Sequence, residues 1–186
     1  MDKIYLREAS LADAPKILEI TKKAFTSYAE EVRKKEKISA LYETLADVER
    51  DIETINVYVC ELDGEIIGSV RFEILDQGIA YLSRFAMLPE CQNLGLGGLL
   101  LEKRSEEHTS ELSSDLRLAC INLGVRAIAL YTASRMRSSV AFYLKNGYYI
   151  HSIDKSSDYI RALMINDLTV MDELFDYESI VRPYRH

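Results

Sequence analysis

The sequence predicts an α/β (α+β) domain, a sheet built largely from hairpins with helices laid against it. Three observations predict it. Apolar residues alternate along 66–75 and 79–88, the period of a half-buried strand, and recur at helical spacing along 17–28 and 41–52. The turns Asp63-Gly64 and Asp76-Gln77-Gly78 are short enough to join antiparallel neighbours directly. A glycine-rich turn then separates the last of these strands from a helix.

In chain order, Ile4-Tyr5-Leu6-Arg7 reads as a short first strand. Ser10 is placed to cap the next element, with Asp13 in its first turn and Pro15 where a missing N–H costs least. Ile17, Leu18, Thr21, Phe25 and Tyr28 then mark a helix, and the charged run 30–37 its solvated end or a loop. A second helix is expected over 39–54, with Leu41, Leu45, Val48 and Ile52 on one face. Strands follow at 57–60, 66–75 and 79–88. In the last two, Val70, Phe72, Ile74, Ala80 and Leu82 share one face. Arg71, Glu73, Tyr81 and Ser83 share the other, expected to face a site or solvent. A three-residue turn sets Glu73 opposite Tyr81.

Beyond Pro89 comes Gln92-Asn93-Leu94-Gly95-Leu96-Gly97, followed by Gly98 and the helical face Leu96, Leu99, Leu100. Glycines let backbone approach a ligand closely, and a helix N-terminus offers free N–H groups to an anion, so this turn reads as a seat for a pyrophosphate; the alternative is a strand-to-helix turn whose small residues serve packing. Two phosphate motifs are excluded. Leu99 and Leu100 stand where a P-loop needs Lys and Ser/Thr, and Leu100 stands at the third glycine of a dinucleotide fingerprint. Apolar periodicity resumes at Leu112 and ends at a cap, Asn122-Leu123-Gly124. A buried strand at 125–132, a short helix at 138–146 and a closing hairpin of 148–153 with 159–165 complete the order.

The 186 residues are 48% apolar and 28% charged, enough for one domain, taken as 1–168. Residues 169–186 form a C-terminal tail with Val170, Leu174 and Tyr177 at helical spacing. A net charge of −7 argues against nucleic acid or an anionic membrane as partner and accommodates a cationic amine. Cys60, Cys91 and Cys120 show no metal spacing and fit a reducing compartment. With no leader-like or membrane-spanning run, the expected location is the cytoplasm.

The element order, with Gln-x-x-Gly-x-Gly at its turn, resembles the GCN5-related N-acetyltransferase (GNAT) superfamily over about residues 3–168. A second segment, Ser139-Val140-Ala141-Phe142-Tyr143-Leu144-Lys145-Asn146-Gly147-Tyr148, resembles the family's Ala-x-x-x-Tyr-x-x-x-Gly-Phe motif. The resemblance implies a mixed, mostly antiparallel sheet splayed between strands 4 and 5, with helices on both faces. It implies acetyl-CoA as cosubstrate, no metal, and transfer of the acyl group to a primary amine of a small molecule or peptide, by a monomer or homodimer. Gln92, Asn93, Leu94, Gly95, Leu96, Gly97 and Gly98 would hold the pyrophosphate. Phe85, Ala86 and Met87 would pair with the pantetheine arm as an added strand, with Ser139 and Phe142 beside it.

Transfer requires a neutral amine and a protonated leaving thiol. Tyr143 stands where the family's general acid often stands, and an ordinary phenol is protonated at neutral pH. The alternative is that Tyr143 only packs against the cofactor. Where relatives carry a strand carboxylate as base, this chain has Tyr81, and its cross-strand neighbour Glu73 is the candidate base, directly or through water. Glu73 alternatively pairs with Arg71 or solvent. Met136 stands in place of an asparagine common in relatives, and neither His108 nor His151 is assigned a role. The competing function is a non-catalytic acyl-CoA sensor on the same scaffold, favoured by the missing carboxylate and opposed by Tyr143. Finally, Arg104-Ser-Glu-Glu-His-Thr-Ser-Glu-Leu112 resembles the in-frame translation of a sequencing-library adapter. The segment 104–114 is therefore either an inserted assembly scar or a charged helical extension. Continuous helix over 97–122 would run about 39 Å, past strands of about 23 Å.

Overall fold

The computed structural model describes residues 4–32, 38–91, 116–156 and 160–184. Its strands are β1 (Ile4–Glu8), β2 (Asn56–Leu62), β3 (Glu65–Leu75), β4 (Ile79–Met87), β5 (Ala127–Ala133), β6 (Tyr149–Asp154) and β7 (Arg161–Asp167). The helices are α1 (Ala14–Val32), α2 (Leu45–Thr54), α3 (Leu116–Asn122), α4 (Arg137–Lys145) and α5 (Tyr177–Val181). One sheet holds all seven strands in the order β1-β2-β3-β4-β5-β7-β6. Every neighbouring pair is antiparallel except β4 and β5.

Local chemistry explains the joints. Asp63 and Gly64 both take positive φ, which matches the two-residue turn to the strand twist. Gln77 and Gly78 do the same between β3 and β4. The Ser10 backbone N–H and hydroxyl both donate to Asp13, at 2.7 and 3.0 Å, and Arg7 donates to the same carboxylate. The expected helix over 39–54 divides in two, a 3-10 turn at Ser39–Tyr42 and α2. Thr44 caps α2 through Asp47, so the helix starts there rather than at Ser39.

α1 and α2 cover one face of the β1–β4 half, where Ala14, Ile17 and Val48 bury Val57 and Val59. α3 and α4 lie on the opposite face, over Val70, Phe72, Leu82 and Leu130. The face shared by Arg71, Glu73 and Tyr81 is not the open polar surface its alternation implies. Arg71 is fully buried, and Tyr81 is 7% exposed. The segment after 168 packs there instead: Tyr177 and Val181 join Leu75, Ile79, Tyr81, Ala127, Ala129, Leu163 and Ile165 in a second core. Val170 and Leu174, whose spacing predicts a helix with Tyr177, are 97% and 92% exposed, and the helix begins only at Tyr177. Burying Tyr177 and Val181 contributes on the order of 1.5–3 kcal/mol each.

Candidate functional site

A β-bulge shapes the site. Arg71 faces Arg84, yet Phe72 faces Leu82, so Ser83 is the extra residue on β4. In a regular strand Leu82 and Arg84 would share a face. The bulge instead sends Leu82 to the α3–α4 side and Arg84 to the α1–α2 side. Arg84 Nε donates to Glu43 at 2.7 Å and Nη2 to the Ser39 hydroxyl at 3.0 Å. Its guanidinium also lies 5.9 Å from the Phe25 ring centre. Arg71 reaches the same Glu43 at 3.1 Å, Asp51 at 3.0 Å and Thr21 at 3.1 Å. Two arginines thus tie the 39–43 segment, α1 and α2 to the strands β3 and β4.

The ladder between β4 and β5 is short. It runs from Ile79 and Ala127 to Tyr81 and Ala129 and ends there, while β4 continues to Met87 and β5 to Ala133. The strands part at that point, as the resemblance implies. The Leu88 amide donates to Ile67 of the β3 side at 2.9 Å. Backbone direction alternates along a strand, so the amides and carbonyls of Phe85 and Met87 turn away from β3, toward the side from which β5 has parted. Gly68, opposite Met87, has no side chain in the way. A Cβ there would meet Met87 Sδ at 2.3 Å and the Ala86 carbonyl oxygen at 3.0 Å.

α4 lies over this gap. Phe142 stacks on Phe85 with ring centres 5.8 Å apart, and Tyr143 packs edge-on against Phe142 and Tyr148, both at 5.3 Å. Burial, with a smaller contribution from Tyr28, pushes the Tyr143 phenol above its ordinary value, so it keeps its proton at neutral pH. Tyr28 comes from α1 on the other face, and its hydroxyl accepts the Ala133 amide of β5 at 3.0 Å. The parting of the strands lets groups from both faces approach one another. Ser138 bridges the same two helices by donating to the Glu31 carboxylate at 3.2 Å. Ser139 lies in the first turn of α4, half-buried.

Of the residues singled out from sequence, Phe85, Ala86, Met87, Phe142 and Tyr143 are brought together. Glu73 and Tyr81 do face each other, on the opposite side of the sheet from α4. Arg71 is taken by Glu43 and Asp51, so it is not the partner of Glu73, which makes no ion pair among the described residues. Tyr81 is enclosed by the rings of Tyr131 and Tyr184, 6.4 and 6.2 Å away. The residues Gln92 to Gly98 and His108 lie outside the described residues. Sequence reading missed Tyr28 as a site residue, although its place at the end of the apolar stripe of α1 was visible. It also missed the Glu43 bridge, for which the sequence carries no local signal.

The chain belongs to the GNAT family of acetyltransferases: the family model described as an acetyltransferase (GNAT) domain matches residues 53–150, over half of its length. No curated protein matches it. Among solved structures it is similar to the PaiA N-acetyltransferase of Thermoplasma acidophilum in complex with coenzyme A. That likeness has 19% identity and a TM-score of 0.71, over 89% of this chain and 99% of that one. A GNAT family acetyltransferase from Elizabethkingia anophelis with acetyl-CoA bound matches at 16% identity and TM-score 0.64, over 90% and 99%. The ribosomal-protein-S18-alanine N-acetyltransferase of Escherichia coli matches at 16% and 0.61, over 94% and 100%. At these identities the likeness speaks for the fold.

Proposed function

We propose that this acetyltransferase moves the acetyl group of acetyl-CoA to a primary amine, with the reacting atoms held between β4 and β5. The observation that carries the reading is the ladder that stops at Tyr81 and Ala129 while both strands run on. Phe85 faces that gap with its backbone and touches Phe142 with its ring. A pantetheine arm carries amide groups that can pair there as a strand would. The coenzyme A and acetyl-CoA named with the Thermoplasma and Elizabethkingia structures support the same cosubstrate. Gln92 to Gly98 remain the proposed pyrophosphate seat, with Ser139 and Phe142 flanking the arm.

The reaction breaks the thioester C–S bond and forms an amide C–N bond. The amine gives up a proton and the departing sulfur gains one. Tyr143 is the proposed donor to sulfur: its phenol is held protonated, and α4 places it over the gap. Glu73 is the proposed base, receiving the amine's proton through water, with Tyr81 shaping the path between them. The free state of all three cysteines and the net charge of −7 support action in the cytoplasm on soluble acceptors, without nucleic acid or membrane, as a monomer or homodimer.

The test is thiol release from acetyl-CoA across a panel of amines. Turnover with at least one amine is expected, and Glu73→Gln should lower the rate most below the amine's own pKa. Tight acetyl-CoA binding with no transfer to any amine would instead favour the sensor reading. An unaltered pH–rate profile would remove Glu73.

A further inference from the structure

The two sides of the β4–β5 gap are lined differently. Phe85, Phe142 and Tyr143 line the α4 side. On the other face a cavity of about 260 Å³ opens between the end of β6, β5 and the C-terminal segment. One wall is Tyr131, two residues past Ala129, the last β5 residue paired with β4. The Tyr131 ring lies edge-on to Tyr81. The cavity therefore touches β5 just beyond the parting point, through Tyr131 alone, and lies on the face opposite α4. Its volume falls below the roughly 300–1,000 Å³ of pockets for drug-sized ligands. That size fits a small molecule rather than a folded protein.

The charges lining it divide into two sets. Asp154 is already engaged: Arg161 donates to it at 3.1 Å, and the Ser156 hydroxyl and amide donate at 2.6 and 2.9 Å. Burial alone would raise the Asp154 carboxyl, but those donors outweigh it and hold it below its ordinary value. Arg161 lies over the Tyr131 ring, 4.9 Å from its centre. The remaining charged groups are Lys155, Arg182 and Glu178. Lys155 and Arg182 are exposed at the rim, and the Arg182–Glu178 contact is long, at 3.6 Å. Two cations and two carboxylates line the cavity; Arg161 neutralises Asp154, and Asp176, its carboxyl lowered by hydrogen bonds from Ser179, stands close enough to Arg182 for that charge to lower it further.

We propose that this cavity is the acceptor site, and that Lys155 and Arg182 hold the carboxylate of a small acceptor bearing both an amine and a carboxylate, of the free amino acid class. The proposal rests on the N-acetyltransferase reading above. A guanidinium offers two parallel donors to a carboxylate and an ammonium a single charged head, which together fix its orientation. The C-terminal segment supplies Arg182 as well as Tyr177 and Val181, so it is a wall of the site and a support of the sheet.

The experiment measures KM and kcat with L-glutamate, L-methionine and L-phenylalanine, each beside its α-carboxamide, and with spermidine. It uses the full chain, Lys155→Gln, Arg182→Gln and the double variant. Comparing proteins for each acceptor cancels the amines' own basicity. Losing charged hydrogen bonds should raise KM for the free acids by about ten- to a hundredfold. KM for acetyl-CoA and for the carboxamides should stay within about threefold, and Tm should hold, because both positions are exposed. Equal effects on acids and carboxamides, or turnover of spermidine with the acids inert, would overturn the proposal and leave the acetyltransferase reading standing. Thiol release that no amine accelerates would overturn both.

Discussion

Replacing Arg71 with Met should cost about 3 kcal/mol of stability, the low end of the range for stripping one partner from a buried ion pair. Arg71 is 0% exposed and holds Asp51, Glu43 and Thr21 at once. Removing it strands its partners unequally. Glu43 keeps Arg84 at 2.7 Å, and the Asp51 side chain retains 24% exposure to water. That places the loss toward the bottom of the range, and Met restores part of the packing of the arginine stem. For a chain of this length the expected fall in Tm is about 6–12 °C. Urea denaturation followed by circular dichroism measures the difference in unfolding free energy. The double variant Arg71→Met/Asp51→Leu should recover part of the loss, since it removes the stranded carboxylate. A change below about 0.5 kcal/mol in the single variant, the scale of an ordinary surface substitution, would refute the idea that this cation ties α1 and α2 to the sheet.

Gly68→Val should weaken acetyl-CoA binding about tenfold or more and lower Tm, because its side chain would displace Met87 and the Ala86 carbonyl on the strand that faces the gap; isothermal titration reads it. Asp13 is held at about 2 by hydrogen bonds from Arg7, with burial opposing them, and by Ser10. A lowered carboxyl stabilises the fold above its ordinary value near 3.8 and loses that contribution as pH falls through about 2. Asp13→Asn should therefore lower stability by about 2 kcal/mol at pH 7 and flatten its acid limb between pH 4 and 2, followed by thermal melts. Deleting residues 104–114 should preserve acetyl-CoA binding, and resequencing the source DNA should fail to find the segment. A native gene that contains it, or a deletion that unfolds the domain, would mean that it is an ordinary part of the chain.

Much of this architecture was legible because it rests on local signals. The Asp63-Gly64 turn, the alternation of β3 and the Glu73–Tyr81 register follow from rules that act over a few residues. The parting of β4 and β5 was legible only through the resemblance, since no local pattern encodes it. Arg71 was misplaced because a charged residue in an alternating strand reads as solvent-facing, and its partners lie 20 and 28 positions away on other elements. Ser83 was misread because a bulge leaves period two intact on either side of it. The packing of Tyr177 and Val181 was hidden by the exposed apolar residues Val170 and Leu174, which carry the same periodic signal without being buried. Tyr28 looked like one more residue of a helical stripe, and only the gap in the sheet gives it a second role.

Acetyl transfer is proposed to take place in the β4–β5 gap under α4. Its most direct measurement is single-turnover transfer of isotopically labelled acetyl from acetyl-CoA to an amine, read by mass spectrometry, in the unaltered protein and in Tyr143→Phe. The native thiols should be slow to intercept the label, because all three cysteines are buried, and burial pushes the Cys60 thiol up to about 12 and raises Cys91. Labelled amine is expected from the unaltered protein, and from Tyr143→Phe the same acetyl-CoA affinity with transfer slowed by about ten- to a thousandfold. Labelled amine formed at equal rates by both proteins would contradict the role of Tyr143, and the absence of labelled amine with every acceptor would contradict the claim itself.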